Sequence, residues 1–153
     1  MSVNDFELPV ECPGLTVGGI GFGVLRRAIG ATFAGATGVI PSALSSPPDL
    51  AVSEQDTPDM TVQVAPGACV IAGIVDGLDV ATDTIALVAP AENDVIAIVQ
   101  IANGVLTVKY GTEAGSPTAP TVDAGNLKLA EVYMTTAHTT VETADITDNR
   151  VFV

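Results

Sequence analysis

The chain has 153 residues and a mass of 15.4 kDa, which corresponds to one domain with at most an added arm. Five Lys and Arg against 18 Asp and Glu give a net charge of -13, so binding to nucleic-acid phosphates or to an anionic membrane surface is disfavoured. Hydrophobic residues make up 48% of the chain but aromatic residues only 4%, and the abundant β-branched residues favour strands. With 15 Gly and 10 Pro as turn residues, we expect an all-β protein. The charged fraction of 15% is low for a free monomer and predicts that neighbouring subunits cover part of the surface.

The segment from Met1 to Pro48 differs in composition from the rest, because it is rich in Gly and small residues and ends in Ser45-Ser46-Pro47-Pro48. We therefore divide the chain into an N-terminal assembly arm and linker, residues 1–48, and a β-sandwich module, residues 49–153. A spacing of four between Leu25, Ile29 and Phe33 permits one short helix in the arm. The alternative is that the arm folds back as an edge strand and helix of its own domain.

The arm carries apolar side chains that need a dry surface, and two of the five cations of the chain, which we expect to meet acidic groups on a neighbour. The candidate assembly contacts are Leu15, Val17, Ile20, Phe22, Arg26 and Arg27.

Strand signals begin after residue 49. Met60 to Val64 alternates apolar and polar residues, as a half-buried strand does. Pro66 and Gly67 follow at the second and third positions expected for a type II turn, which requires a positive φ at the third. The apolar run from Ala68 to Val75 predicts one strand buried on both faces, and Asp76-Gly77 a further turn; Leu78 to Val88 then alternates loosely.

The stretch from Asp94 to Tyr110 predicts a hairpin around Asn103-Gly104, since both positions of this turn favour positive φ. Pairing outward from the turn places Ile101 opposite Leu106, Val99 opposite Val108 and Ala97 opposite Tyr110, so one face is apolar throughout. A Pro-, Gly- and Thr-rich loop follows, then a strand over Leu127 to Met134. Several short strands with such turns predict an antiparallel β-sandwich or small barrel.

No residue pattern points to catalysis or to a cofactor: the nucleotide-binding, hydrolase and zinc motifs are missing from the sequence. The single histidine, His138, lies in a polar stretch and is expected at a loop rim rather than beside a nucleophile. Asp76, Asp79 and Asp83 could line a calcium site, but they lack the loop spacing, and solvated turn acids are the expectation. We therefore predict no enzymatic activity, no cofactor and no metal.

Two further pairs of side chains are interpreted as structural. Cys12 and Cys69 are expected to be buried free thiols, because two cysteines do not make a disulfide scaffold. Asp148 and Arg150 are expected to form an ion pair after the last strand.

From Asp49 onward the sequence resembles a module found in virion proteins of tailed phages. In that module a loop typically reads G-T-x-A-x-x-P-x-x-P, as the segment from Gly111 does here, whereas an Arg-x-Asp-Arg that usually opens the middle strand is replaced by Glu92-Asn-Asp-Val95. The matching pieces occur in order at 49–52, 59–67, 72–73, 94–101, 111–120, 129–132 and 146–150.

The resemblance implies a non-enzymatic structural protein of the virion, assembled in the host cytoplasm. It also implies a homotrimer. From the net charge and the low charged content we expect a decoration or cement protein, bound to the major capsid protein on the outer surface of the head. The acidic charge is consistent with an outer face, because an inner face would oppose DNA phosphates. One alternative is a small tail, baseplate or fibre-base component. Another is a carbohydrate- or calcium-binding lectin-like module, against which the lack of Trp and the two Tyr argue.

Overall fold

The computed structural model of the protein describes residues 35–42, 49–78 and 83–153, with only the backbone of Asp83. The all-β prediction is confirmed, since strands and one 3-10 turn at Thr143–Asp145 make up all the regular structure of these ranges. The strands are β1 Gly38–Ile40, β2 Val52–Glu54, β3 Thr61–Val64, β4 Gly67–Ile71, β5 Ile74–Leu78, β6 Asp83–Ala86, β7 Val95–Ala102, β8 Val105–Tyr110, β9 Leu127–Met134 and β10 Ile146–Asp148.

The strands form three antiparallel sheets. Their orders are β1-β4-β5, β2-β3-β6 and β10-β9-β7-β8. The last two sheets approach each other at both edges, where β6 lies beside β8 and β2 lies beside β10. The result is a sandwich that closes towards a barrel, with the β1-β4-β5 sheet added where the chain turns from β3 into β4.

A single hydrophobic core joins the three sheets. Its fully buried members include Val39 of β1, Val62 of β3 and Val99 of β7. Because all three sheets contribute side chains to one cluster, removing any sheet exposes apolar surface of the others, at about 25 cal/mol for each Å².

The hairpin predicted from Asp94 to Tyr110 is confirmed residue by residue. Asn103 and Gly104 both have positive φ, at 52° and 69°. Every predicted partner in the pairing of β7 with β8 is observed, including Ile101 with Leu106 and Ala97 with Tyr110. The strand from Leu127 to Met134 is also found, as β9 on the other side of β7.

A bulge in β9 separates the pair Val99–Ala130 from the pair Gln100–Lys128. The extra residue is Leu129. Both Leu129 and its neighbour Ala130 are buried, whereas consecutive residues of a regular strand point to opposite faces of the sheet. The bulge therefore allows two consecutive residues of one strand to leave solvent.

The prediction of one strand from Ala68 to Val75 is wrong, because this run is a hairpin. Ala72 and Gly73 have positive φ, at 50° and 80°, and turn β4 into β5. The turn predicted at Asp76-Gly77 is wrong for the same reason: both residues lie inside β5, where Gly77 pairs with Ala68. Of the stretch from Leu78 to Val88, β6 occupies Asp83–Ala86, and residues 79–82 lie outside the described residues.

The type II turn predicted at Pro66-Gly67 is also wrong. Gly67 is the first residue of β4 and has no positive φ. A Cβ atom there would lie 2.7 Å from Cβ of Asp49 and 2.9 Å from the nitrogen of Leu50. Gly67 is thus required by the close passage of the 49–50 backbone, not by a turn conformation.

One part of residues 1–48 belongs to the body: β1 pairs with β4, and Val39 is fully buried. Within the described residues, the first strand therefore begins at Gly38, before the boundary drawn at 48. The short helix considered between Leu25 and Ala34 lies outside the described residues. In the part of the chain that is described, no helix has the length and hydropathy needed to cross a membrane.

Candidate functional site

The predicted arm contacts are not among the described residues. Leu15, Val17, Ile20, Phe22, Arg26 and Arg27 all precede residue 35, as does Cys12. Of the three acids considered for calcium, only the side chain of Asp76 is described, and its Oδ1 accepts the N–H of Gly77 at 2.8 Å. Within 35–42, 49–78 and 83–153, no three His, Cys, Asp or Glu side chains are grouped so that they could hold a metal ion.

Every Lys and Arg of the described ranges is paired with an acid. Lys109 lies 2.6 Å from Asp123, and Lys128 lies 2.8 Å from Glu131. Because these cations are matched within the chain, the surplus carboxylates set the sign of the described surface. Such a surface repels phosphate and attracts cationic partners.

The predicted pair of Asp148 and Arg150 is confirmed as a bidentate contact, with Nη2 to Oδ2 at 2.6 Å and Nε to Oδ1 at 2.9 Å. The side chain of Arg150 is only 8% exposed, and its Nη1 donates to the carbonyl of Asp49 at 2.6 Å. The hydrogen bonds from Arg150 lower the pKa of Asp148. Arg150 therefore fastens the chain after β10 to the segment that leads into β2.

Two carboxylates, those of Glu113 and Asp123, hold the Pro-rich loop after β8 in place through hydrogen bonds. We call each of them a clasp, and neither was predicted from the sequence. Both carboxylate oxygens of Glu113 accept backbone N–H groups, from Ala91 at 3.1 Å and from Glu92 and Asn93 at 2.8 and 3.1 Å. Three consecutive N–H groups form an anion-binding concavity, and their hydrogen bonds lower the pKa of Glu113.

The second clasp is Asp123. It accepts from Gln100 at 2.6 Å and from Lys109 at 2.6 Å, and its own N–H donates to Gln100 at 3.0 Å. The side-chain hydrogen bond from Lys109, and next that from Gln100, lower the pKa of Asp123. The buried amide of Gln100 is thereby satisfied, and the loop covers the face of β7 opposite to that of Ala97, Val99 and Ile101.

His138 has both ring nitrogens occupied within its own loop. Nδ1 accepts the N–H of Thr135 at 3.3 Å, so Nε2 carries the proton that faces Asp145 Oδ2 at 3.0 Å. Asp145 also accepts the N–H of Glu142 at 2.9 Å. The hydroxyl of Thr135 lies 3.4 Å from the same Nδ1, which it shares with the backbone N–H. These hydrogen bonds connect the two ends of the loop between β9 and β10 and hold it in one conformation.

Cys69 is a buried free thiol, as predicted. Burial, followed by the charge of its cross-strand neighbour Asp76, raises the pKa of this thiol to about 12. Because the thiolate is the nucleophile, Cys69 is unreactive at neutral pH.

The described surface carries large apolar side chains that have no cover. They occur at the β4–β5 turn, beside β8, on β9, in the loop after β8 and in the segment that follows Arg150: Ile74, Val88, Val105, Tyr110, Val122, Tyr133, Val151, Phe152 and Val153. Two of them are partly polar, since the hydroxyl of Tyr110 accepts the N–H of Val88 and that of Tyr133 donates to Asp94. The others need a partner to leave water, which makes this set the candidate assembly surface.

The last three residues, Val151–Val153, form a tail segment that runs parallel to β1. The N–H of Val39 donates to the carbonyl of Val151 at 2.6 Å, and the N–H of Val153 donates to the carbonyl of Val39 at 3.1 Å. This pairing was not predicted from the sequence. The only sequence signal was a matching β-branched pair, Val39-Ile40, ahead of a proline.

Comparisons of the chain with protein-family models, with curated proteins and with solved structures each find no match.

Proposed function

We propose that the protein is a non-enzymatic structural component of a tailed-phage virion. In this proposal it is a decoration or cement protein on the outer surface of the head, where it assembles as a homotrimer on the major capsid protein. The observation that carries the proposal is the candidate assembly surface: a small acidic body leaves apolar side chains as exposed as Ile74, at 72%, and Val88, at 70%. Such a surface is consistent with a subunit that works covered by neighbours.

The resemblance to the phage module supports the same proposal. Its pieces fall on elements that form one connected body: 59–67 is β3 with the entry to β4, 94–101 is β7, and 129–132 lies in β9. The piece at 111–120 contains the Glu113 clasp, which closes on residues 91–93 where the module usually carries arginines. A carboxylate bound to backbone N–H groups supplies there a fixed contact that does not need those arginines.

The pairing of the described cations helps to distinguish the inner surface of the phage head from its outer surface. Lys109, Lys128 and Arg150 are each matched by an acid, so the described residues present no cationic patch for packaged DNA. The outer surface of the head, or a tail component as the alternative position, accommodates the acidic charge better than the interior does.

The experiment is immunogold labelling of particles purified from cells that produce the protein from its native gene, with antibodies raised against the whole chain. Label over the outer surface of intact heads is the expected result, and label confined to tails or baseplates would assign the alternative position. The protein in the soluble fraction only, with no particle carrying it, would overturn the proposal. As a control, disrupted particles are probed with a serum raised against the unfolded protein. A signal that appears only after disruption shows that the protein is present but its epitopes are covered in the intact particle.

A further inference from the structure

The place where the tail segment lies against β1 is shaped for a strand. Gly38 has no side chain at the point of contact, and a Cβ atom there would lie 2.6 Å from Cγ1 of Val153 and 2.7 Å from the carbonyl oxygen of Val151. The next residue, Val39, is fully buried and pairs through both its N–H and its carbonyl. We call this edge of β1, Gly38–Ile40, the acceptor edge.

The tail segment is nevertheless held only lightly. Val151, Phe152 and Val153 are 59%, 50% and 37% exposed; two backbone hydrogen bonds attach them to the acceptor edge, and the Arg150 guanidinium lies over the Phe152 ring, 5.3 Å from its centre. The residue before them is fixed, because Arg150 is buried and bound to Asp148 and Asp49. The chain is therefore firm up to Arg150 and weakly bound beyond it, which is where local opening costs least.

The acceptor edge and the tail segment carry no charged side chain. Strand edges are usually protected by Lys, Glu or Pro against pairing with another chain, and none of these residues occurs within Gly38–Ile40 or Val151–Val153, although Pro41 follows directly. In a chain of net charge -13, the acceptor edge is a place where two copies meet without like charges opposed.

We propose that copies of this protein exchange their tail segments, so that Val151–Val153 of one copy docks on the acceptor edge of a second copy. A second copy is the occupant because it carries the segment already seen to fit this edge, with the same hydrogen bonds and the same gap at Gly38. The inference deepens the self-association included in the proposed function and does not depend on a virion location.

The position of Val151 constrains the geometry of the exchange. Val151 follows Arg150 directly and its carbonyl accepts the N–H of Val39, so Val39 of the neighbouring copy must lie within about 10 Å of Arg150. A symmetry axis must then pass beside β1. A reciprocal exchange gives a dimer, and a cyclic exchange gives a closed ring such as a trimer.

The test is a disulfide formed between different chains. Val39→Cys is made in one chain and Phe152→Cys in another, with different tags, and the two are co-expressed in a background in which Cys12 is replaced by Ser. Residues paired on neighbouring strands lie about 5 Å apart, within disulfide range. The native Cys69 is replaced by Ala in the same background, because it lies opposite Val39 on β4 and would otherwise pair with the new thiol.

Exchange predicts a covalent product with both tags. It should form at least about tenfold faster than in a control pair of Phe152→Cys with Thr107→Cys, because docking raises the local concentration of the thiols to millimolar levels. Gly38→Ala should abolish that excess by filling the gap. A single chain that carries both Val39→Cys and Phe152→Cys shows whether the tail segment docks on the acceptor edge of its own chain.

The proposal is overturned if the double variant closes within one chain while the mixed chains form no more product than the control pair. It is equally overturned if neither closes, or if Gly38→Ala leaves the mixed product unchanged, with circular dichroism confirming that each variant is folded. If particles carry the protein but its copies do not exchange tail segments, only this inference is rejected. If the copies exchange tail segments but no particle carries the protein, only the virion proposal is rejected.

Discussion

Gly67 and Gly104 are glycines for different physical reasons, and Ala and Asn substitutions at both positions separate those reasons. At Gly104 the backbone has a φ of 69°, and a Cβ atom would meet its nearest neighbour, the carbonyl oxygen of Gly77, at an ordinary 3.4 Å. The cost of Gly104→Ala is then conformational, about 1–2 kcal/mol for an L residue in the left-handed region. Asn tolerates that region, so Gly104→Asn should cost only about half as much or less.

At Gly67 the cost is steric instead. A Cβ atom would lie 2.7 Å from Cβ and 2.9 Å from Cα of Asp49. Carbon atoms normally keep about 3.5–4.0 Å apart, and the atoms in the way cannot rotate aside, so overpacking of about 1–3 kcal/mol is expected. Because nothing at Gly67 calls for a positive φ, Gly67→Asn should cost as much as Gly67→Ala.

Thermal unfolding followed by circular dichroism measures the four variants. At about 2–4 °C for each kcal/mol in a chain of this size, Gly104→Ala lowers Tm by about 2–8 °C and Gly104→Asn by clearly less. Both Gly67 variants lower Tm by about 2–12 °C. Gly115→Ala is the matched control, since a Cβ there meets nothing within 4 Å, and it should leave Tm nearly unchanged. A Gly67→Asn variant much milder than Gly67→Ala would refute the reasoning, because it would restore the turn conformation at that residue.

Three further predictions concern a clasp, a thiol and the arm. The pKa of Glu113 is lowered by its three N–H donors, so its contribution is present above the ordinary value of 4.5 and is lost as the pH falls through the lower folded pKa. The protection of the 91–93 amides against hydrogen exchange, relative to their intrinsic exchange rate at each pH, should therefore fall as the pH drops below 4.5, and Glu113→Gln should remove that dependence. Cys69 should not react with a thiol reagent until the protein unfolds, whereas Ile74→Cys, at a 72% exposed position, should react at once; rapid modification of the native Cys69 would contradict its burial. Deleting residues 1–34 should leave the body folded and deleting 1–48 should destabilise it, because only the longer deletion removes β1 and its buried valine; equal Tm values for the two truncated chains would show that β1 contributes nothing.

The hairpin of β7 and β8 could be predicted in full because its information is local. Asn103 and Gly104 supply the two positive φ values, and alternation on either side then has only one consistent register. The strand β9 was bounded correctly for the same reason, since its apolar residues alternate between two turn-rich loops.

The hairpin of β4 and β5 could not be found in this way. In its turn Ala72 has a φ of 50°, which alanine rarely adopts, so the residue type does not indicate a turn there. The turn also lies inside an uninterrupted run of apolar residues, which is typical of a single strand. At Gly67 the residue type was informative but its cause was not, because the sequence does not show which backbone passes close to it.

The contacts that matter most for the candidate assembly surface are long-range. The tail segment pairs with Val39, which lies at the other end of the described chain, and the N–H groups that bind Glu113 lie about 20 residues before it. Neither contact has a local pattern, since backbone N–H groups and carbonyls are the same for every residue type.

The most direct measurement of the central claim is a cryo-electron microscopy map of particles purified from cells that produce the protein. The account predicts density for this β-sandwich on the outer surface of the head, in groups of three around threefold positions, with the acidic body facing outward. A head whose surface is fully accounted for by other chains, in particles whose tails also lack this protein, would contradict the account.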